Sequence, residues 1–181
     1  MIVFMGGQGS GKGTFAQLLL KYKNYKYIEA GALLRQIPAD SEIGKKVAMG
    51  ILIDDDDLFK MIAEHITTDQ DIILDGFPRT LNQAKWLIDN YSKKFNIQII
   101  FLNIPESTMI AHIKKRVDEG GNRKDDTDET AVHKRIESFK TITMPAIRWL
   151  ADVDNIKFFD IKLSSDDICE NFELILHTIQ S

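Results

Sequence analysis

A single cysteine, Cys169, is all the thiol chemistry this 181-residue chain carries. One thiol closes no internal disulfide and builds no cysteine-based zinc site. Long apolar runs are missing as well: none approaches the roughly 20 residues that cross a bilayer. The opening MIVFM has no basic segment before it and leads into glycines instead of a cleavage site, so it does not read as a secretory signal. Excess positive charge is also lacking. The 23 Lys and Arg face 27 Asp and Glu, a net charge of −4. That argues against a nucleic-acid or acidic-membrane partner, yet leaves room for a small basic pocket inside an acidic shell. No internal repeat, low-complexity linker or compositional break appears. The expectation is one cytoplasmic domain over residues 1–181, with ample apolar content for a core.

What is present is an alternation. Short apolar runs at 2–5 (IVFM), 27–28 (YI), 72–74 (IIL), 97–102 (IQIIFL) and 156–159 (IKFF) read as strands. Amphipathic stretches at 14–21, 40–49, 54–66, 81–90, 105–116, 128–139 and 164–179 read as helices. Short apolar strands alternating with helices predict an α/β fold, a five-stranded parallel sheet flanked by helices on both faces. Asp40 stands at one helix start. The run Ser164-Ser165-Asp166-Asp167 offers a cap and first-turn acids at another. The polar segment 117–127 (VDEGGNRKDDT) reads as an exposed, mobile loop.

The first strand runs into GGQGSGKGT. From Gly6 to Lys12 the spacing is G-x-x-x-x-G-K between a strand and a helix, the context of a phosphate-binding loop. Its backbone N–H groups cradle phosphate at the positive end of the following helix, and Lys12 neutralises terminal phosphate oxygens. Gly13 follows Lys12, and Thr14 follows Gly13, a GxxGxGKGT form. In this form the sequence resembles the adenylate kinase family and its nucleoside monophosphate kinase relatives. The stretch 72–80, IILDGFPRT, extends the likeness. So do AGALLR at 30–35, GILIDDD at 50–56, and NRKDD, ETAVHKR and TITMP further on.

The resemblance spans essentially the whole chain and implies a P-loop nucleotide kinase fold. A small helical insert at about 30–57 would take the nucleoside monophosphate. A short lid at about 117–127 would close over the site. The donor phosphates would be held by Gly9, Ser10, Gly11, Lys12, Gly13 and Thr14. AMP would be held by Ala30, Gly31, Arg35, Leu52, Ile53, Gly76, Arg79 and Gln83. Lys12, Arg79, Arg116, Arg123 and Arg135 would stabilise the transferring group. His112 and Arg116 would lie on the donor-base side, and Asp125 and Asp126 would support the lid. Asp75 would hold Mg²⁺ through water. The loop 160–165 corresponds to backbone that passes near the donor base. The short lid has no room for the zinc site of long-lid members. The resemblance implies ATP and AMP as substrates and a monomeric state.

Several positions depart from the family pattern. Ala30 and Ala32 stand where adenylate kinases carry Thr and Asp around the glycine. Alanine at the first of these also occurs in UMP/CMP kinases, so preference for UMP or CMP is an alternative, and Gln83 opposes it. His112 replaces an arginine; it reads equally well as a donor-base contact or as a helix-surface histidine. Together Ala32 and His112 raise a further alternative, a low-turnover nucleotide-binding paralogue acting as a sensor. The aspartates at 54–57 read as favourable charge at a helix start. His65 reads as structural, and Cys169 as part of the core stripe of the last helix.

Overall fold

The computed structural model describes residues 1–48, 53–120, 129–163 and 167–181. Its sheet has five parallel strands in the order β2-β3-β1-β4-β5. These are β1 (Ile2–Met5), β2 (Lys26–Glu29), β3 (Ile72–Asp75), β4 (Gln98–Asn103) and β5 (Lys157–Lys162). Register pairs Val3 with Leu74 on one side and with Ile99 on the other. β1 therefore lies at the centre, which is why all four of its residues are buried.

Side chains alternate between two apolar layers, as a pleated strand requires. Ile2, Phe4, Ile73, Ile100 and Leu102 meet Phe15, Ala16 and Leu19 of α1 (Lys12–Tyr22). Ile175 from the C-terminal helix joins the same layer. On the other face Val3, Met5, Leu74 and Phe101 pack with Leu58 and Ile62 of α4 (Asp55–His65). Leu87 and Ile88 of α5 (Leu81–Tyr91) complete this layer with Ile147 and Leu150 of α8 (Met144–Ala151). A third small cluster joins Ile113 of α6 (Glu106–Asp118) to Val132 and Ile136 of α7 (Glu129–Ser138). One π-helical turn, Phe139–Thr143, links α7 to α8. Two short helices, α2 (Ala30–Gln36) and α3 (Glu42–Ala48), follow β2.

Most predicted elements recur within a few residues, and five local expectations are corrected. α6 runs on to Asp118, so residues 117 and 118 are helical and not the start of a loop. α3 is capped by Ser41, whose hydroxyl accepts from the Gly44 N–H at 2.9 Å; Asp40 lies one residue too early for that role. The last helix, α9 (Ile168–Gln180), takes Asp167 as its cap, which accepts from the Cys169 and Glu170 N–H groups. Cys169 is exposed, because this cap turns it to solvent and seats Asn171 and Ile175 inside. Finally, residues 160–162 of the expected loop continue β5, paired with Phe101 to Asn103 of β4. Pairing with β4 and the burial of Ile161 carry the strand through these residues. Residues 164–166 lie outside the described residues.

Candidate active site

In a parallel sheet the strand order reverses at the central strand, and a crevice opens beyond the carboxyl ends there. Residues 6–11 leave β1 at that point and enter α1 at Lys12. The local fold depends on tight backbone approach. Gly9 sits at φ +82°, and a Cβ on it would lie 2.5 Å from the Met109 carbonyl of α6. Gly6 sits at φ +148°, where a Cβ would meet the Ser10 hydroxyl and the Leu102 carbonyl. Only glycine allows both. The Lys12 ammonium folds back over this turn and donates to the Gly6 and Gly7 carbonyls, each at 2.8 Å. Ser10 is buried beneath it, 3.4 Å from Lys12 Nζ. Gly11 caps α1, and Gly13 and Thr14 stand in its first turn, where helix N–H groups are open to a ligand.

α6 closes one side of the turn. His112 Nδ1 lies 2.8 Å from the Gly9 carbonyl. A carbonyl only accepts, so Nδ1 carries the proton. The histidine is neither a plain surface residue nor a side chain directed only at the crevice: it fastens α6 to the loop. Arg116, one turn on, is half-buried, with Nε and Nη2 shielded from solvent. Arg135 of α7 reaches the same loop, donating from Nη1 to Gln8 Oε1 at 3.2 Å.

β3 supplies the opposite wall. Asp75 ends that strand, buried, and its Oδ2 accepts from the Tyr27 hydroxyl of β2 at 3.0 Å. A Cβ on Gly13 would lie 3.8 Å from the same oxygen, so the carboxylate borders the loop exit. Beyond Asp75 the chain turns at Gly76 and passes through a cis Phe77–Pro78 bond. Arg79 Nε donates back to the Gly76 carbonyl at 2.9 Å. Ala30 and Gly31 open α2 beside this turn, with the Gly31 nitrogen 3.9 Å from where a Cβ on Gly76 would be.

Arg79 is crowded by protein on most sides although solvent still reaches its side chain. That desolvation pushes its guanidinium below the usual arginine range, and the charges of Arg135 and Arg35 push the same way, against Asp75 and Glu29. Arginine stays protonated near neutral pH all the same. Arg35 and Arg135, from two different helices, thus both bear on Arg79 at the crevice. An incoming anion relieves that repulsion.

Gln83 is the most constrained of the expected residues. Its Oε1 accepts from the Arg79 N–H at 2.7 Å and its Nε2 donates to Asp55 Oδ1 at 2.8 Å. Asp55 also accepts from Asn82 at 2.6 Å. Ile53 packs against the large apolar layer next to α4. Leu52, Arg123, Asp125 and Asp126 lie outside the described residues. The sequence pattern singles out neither Tyr27 nor Glu29, and marks Asp55 only as helix-start charge. Strand register could have found the first two, since β2 pairs with β3 so that Glu29 lies beside Asp75.

A glycine-rich turn from the central strand into a lysine-headed helix, faced by an acid and an arginine cluster, defines the class: a P-loop nucleotide kinase. The sequence matches the adenylate kinase family over residues 4–154. It is 32% identical to an adenylate kinase of Prochlorococcus marinus (strain MIT 9301), over 92% of this chain and 95% of the relative. It is 31% identical to an adenylate kinase of Agrobacterium fabrum (strain C58), over 97% of this chain and 96% of the relative. The chain belongs to the adenylate kinase family, and its chemistry is nucleotide phosphoryl transfer.

Proposed function

We propose that the protein transfers a phosphoryl group reversibly from ATP to AMP with Mg²⁺, giving two molecules of ADP. The observation that carries this reading is the meeting of two cationic groups at one crevice. Lys12 stands over the loop at the mouth of α1. Arg79, whose guanidinium feels the charges of Arg35 and Arg135, stands on the β3 side. One cationic site suits a donor's phosphate chain; a second suits an acceptor phosphate facing it.

The chemistry asks for little covalent work from the protein. The transition state is loose, its charge is spread over equatorial oxygens, and the acceptor's own phosphate oxygen attacks. Lys12 follows the transferring group, while Arg79, Arg116, Arg123 and Arg135 hold it in line. Arg35 orients the acceptor phosphate, since a guanidinium fork fixes two oxygens at once. Gly9, Ser10, Gly11, Gly13 and Thr14 bind the donor phosphates through the loop and helix end. His112 with Arg116 borders the donor base. Ala30, Gly31, Leu52, Ile53, Gly76 and Gln83 border the acceptor. The segment 117–127 acts as a lid, excluding water that would otherwise hydrolyse ATP, with Asp125 and Asp126 supporting it. The insert at 30–57 moves as a second part.

Asp75 fits the metal's needs: a hard carboxylate at the loop exit, placed to hold Mg²⁺ through water. No group of three ligating side chains gathers among the described residues. Mg²⁺ in nucleotide sites is usually carried mainly by phosphates and water. An ion held there would supply positive charge to offset the negative charge developing on the phosphate oxygens.

No helix among the described residues is long and apolar enough to cross a membrane. A cytoplasmic monomer acting on small nucleotides is part of the same proposal. The test is a chromatographic product assay, with ATP and Mg²⁺ offered to AMP, UMP, CMP and GMP separately, beside a tube without acceptor. The expected outcome is ADP formation fastest with AMP, and little ATP loss without acceptor. A preference for UMP or CMP makes Ala30 decisive and replaces the AMP assignment. No turnover with any acceptor shifts the protein to nucleotide sensing.

A further inference from the structure

The geometry points to Glu29 as a resident counter-ion of the acceptor-phosphate site, a carboxylate that the incoming nucleotide phosphate must displace from Arg35. The inference rests on the reading of Arg35 as an acceptor-phosphate ligand.

Glu29 closes β2 and stands at the cap position of α2. A side chain there ordinarily accepts from the open N–H groups of the first turn. Glu29 makes no such bond. Its Oε1 instead accepts from Arg35 Nη2 at 2.8 Å, across six residues and the length of the short helix. The glycine between them permits this path. A Cβ on Gly31 would lie 3.1 Å from Arg35 Nη1 and 3.6 Å from Glu29 Oε1, so the pair closes directly over that glycine. The arginine side chain is 58% exposed and the glutamate 24%. The pair therefore sits at the rim of the crevice, open to exchange.

Charge explains why a carboxylate belongs here and why it yields. Arg35 and Arg135 each repel Arg79, and Glu29 acts on Arg79 in the opposite sense. Without ligand, the carboxylate holds Arg35 in place and offsets part of that repulsion. A nucleotide phosphate brings nearly twice the charge and three acceptor oxygens matched to a guanidinium fork. It wins the exchange, but Glu29 then stands near a like charge. Glu29 thereby sets acceptor affinity lower than the arginines alone would give. It also filters weak anions, which cannot break the pair.

The test is calorimetric titration of AMP into the full chain and its E29Q, R35A and E29Q/R35A variants. Glutamine keeps the size and polarity of Glu29 and removes the charge. E29Q should bind AMP about two- to fivefold more tightly, the range an exposed ion pair supports. Its affinity for a non-hydrolysable ATP analogue should not change, a selectivity that a general structural effect does not produce. R35A should weaken AMP by about tenfold or more. In the R35A background the gain from E29Q should shrink to less than half. Unchanged or weaker AMP binding by E29Q, with R35A weakened as expected, overturns the counter-ion role alone. A full E29Q gain persisting without Arg35 also overturns it. If R35A binds AMP normally, the placement of Arg35 in the acceptor site fails, and the inference falls with it.

Discussion

At the scale of the residue, backbone space and charge do different work at the crevice, and single substitutions separate them. Gly9 is required for space. Alanine there takes a left-handed conformation and drives a Cβ to 2.5 Å from a backbone carbonyl of α6. Strain and overpacking together cost about 2–4 kcal/mol, so Gly9→Ala should lower the melting temperature by roughly 5–10 °C in a calorimetric scan. Lys12 is required for charge. Lys12→Met keeps the length of the side chain and removes the ammonium that now rests on two carbonyls. Turnover should fall on the order of 10³-fold or more, with the melting temperature within a few degrees of the parent. Near-normal rates in that variant would sink the assignment of the loop to the donor phosphates. Lys12 and the glycines were legible in the sequence because the motif fixes their spacing along one turn. Glu29 and Tyr27 were not, because their roles come from partners reached by folding: Arg35 across a helix, and Asp75 48 residues away.

At the scale of the element, the seam between α4 and α5 shows why part of the acceptor side stayed hidden. The aspartate run at 54–57 was legible as helix-start charge, and three of its members do lie in the first turn of α4. Charge near the macrodipole is a local property, which sequence carries well. That Asp55 also binds Asn82 and Gln83 of α5 depends on how two helices dock. The docking is apolar in origin. Phe59 of α4 stacks on Trp86 of α5 with ring centroids 4.5 Å apart, and Phe77 meets both edge-on. That stack places the carboxylate against the glutamine amide and fixes which way the amide points. Asp55→Ala leaves the buried Gln83 Nε2 without its acceptor, at a cost of about 1–3 kcal/mol. The KM for AMP should rise several-fold, while the KM for ATP holds. Asp55→Asn retains an accepting oxygen and should restore most of the stability. Equal AMP kinetics in the parent and Asp55→Ala would show that the orientation of Gln83 does not matter to the acceptor.

At the scale of the whole molecule, the parallel sheet sends every strand's carboxyl end to one edge, so the residues proposed for donor and acceptor converge although they are distant in sequence. Lys12, Asp75, Arg79 and Arg135 come from α1, β3, the turn after it and α7. A ligand that fills both halves must therefore tie together segments that otherwise meet only at the crevice. Binding to the folded state alone stabilises it by mass action, by about 2.7 kcal/mol at a hundred times the dissociation constant. For a chain of this size that corresponds to a rise of roughly 7 °C in melting temperature. A mimic in which two adenosines are joined through five phosphates should produce such a rise with the parent protein. The diagnostic is its dependence on both ends. At the same ligand concentration the rise should shrink in Lys12→Met, through the donor half, and in Arg79→Ala, through the acceptor half. Each variant should keep its response to the mononucleotide of the untouched half. If either substitution leaves the mimic's effect intact, that half of the crevice does not bind phosphate. If Lys12→Met abolishes the AMP response as well, the two halves are not separate sites, and transfer between two bound nucleotides is the wrong description of the crevice.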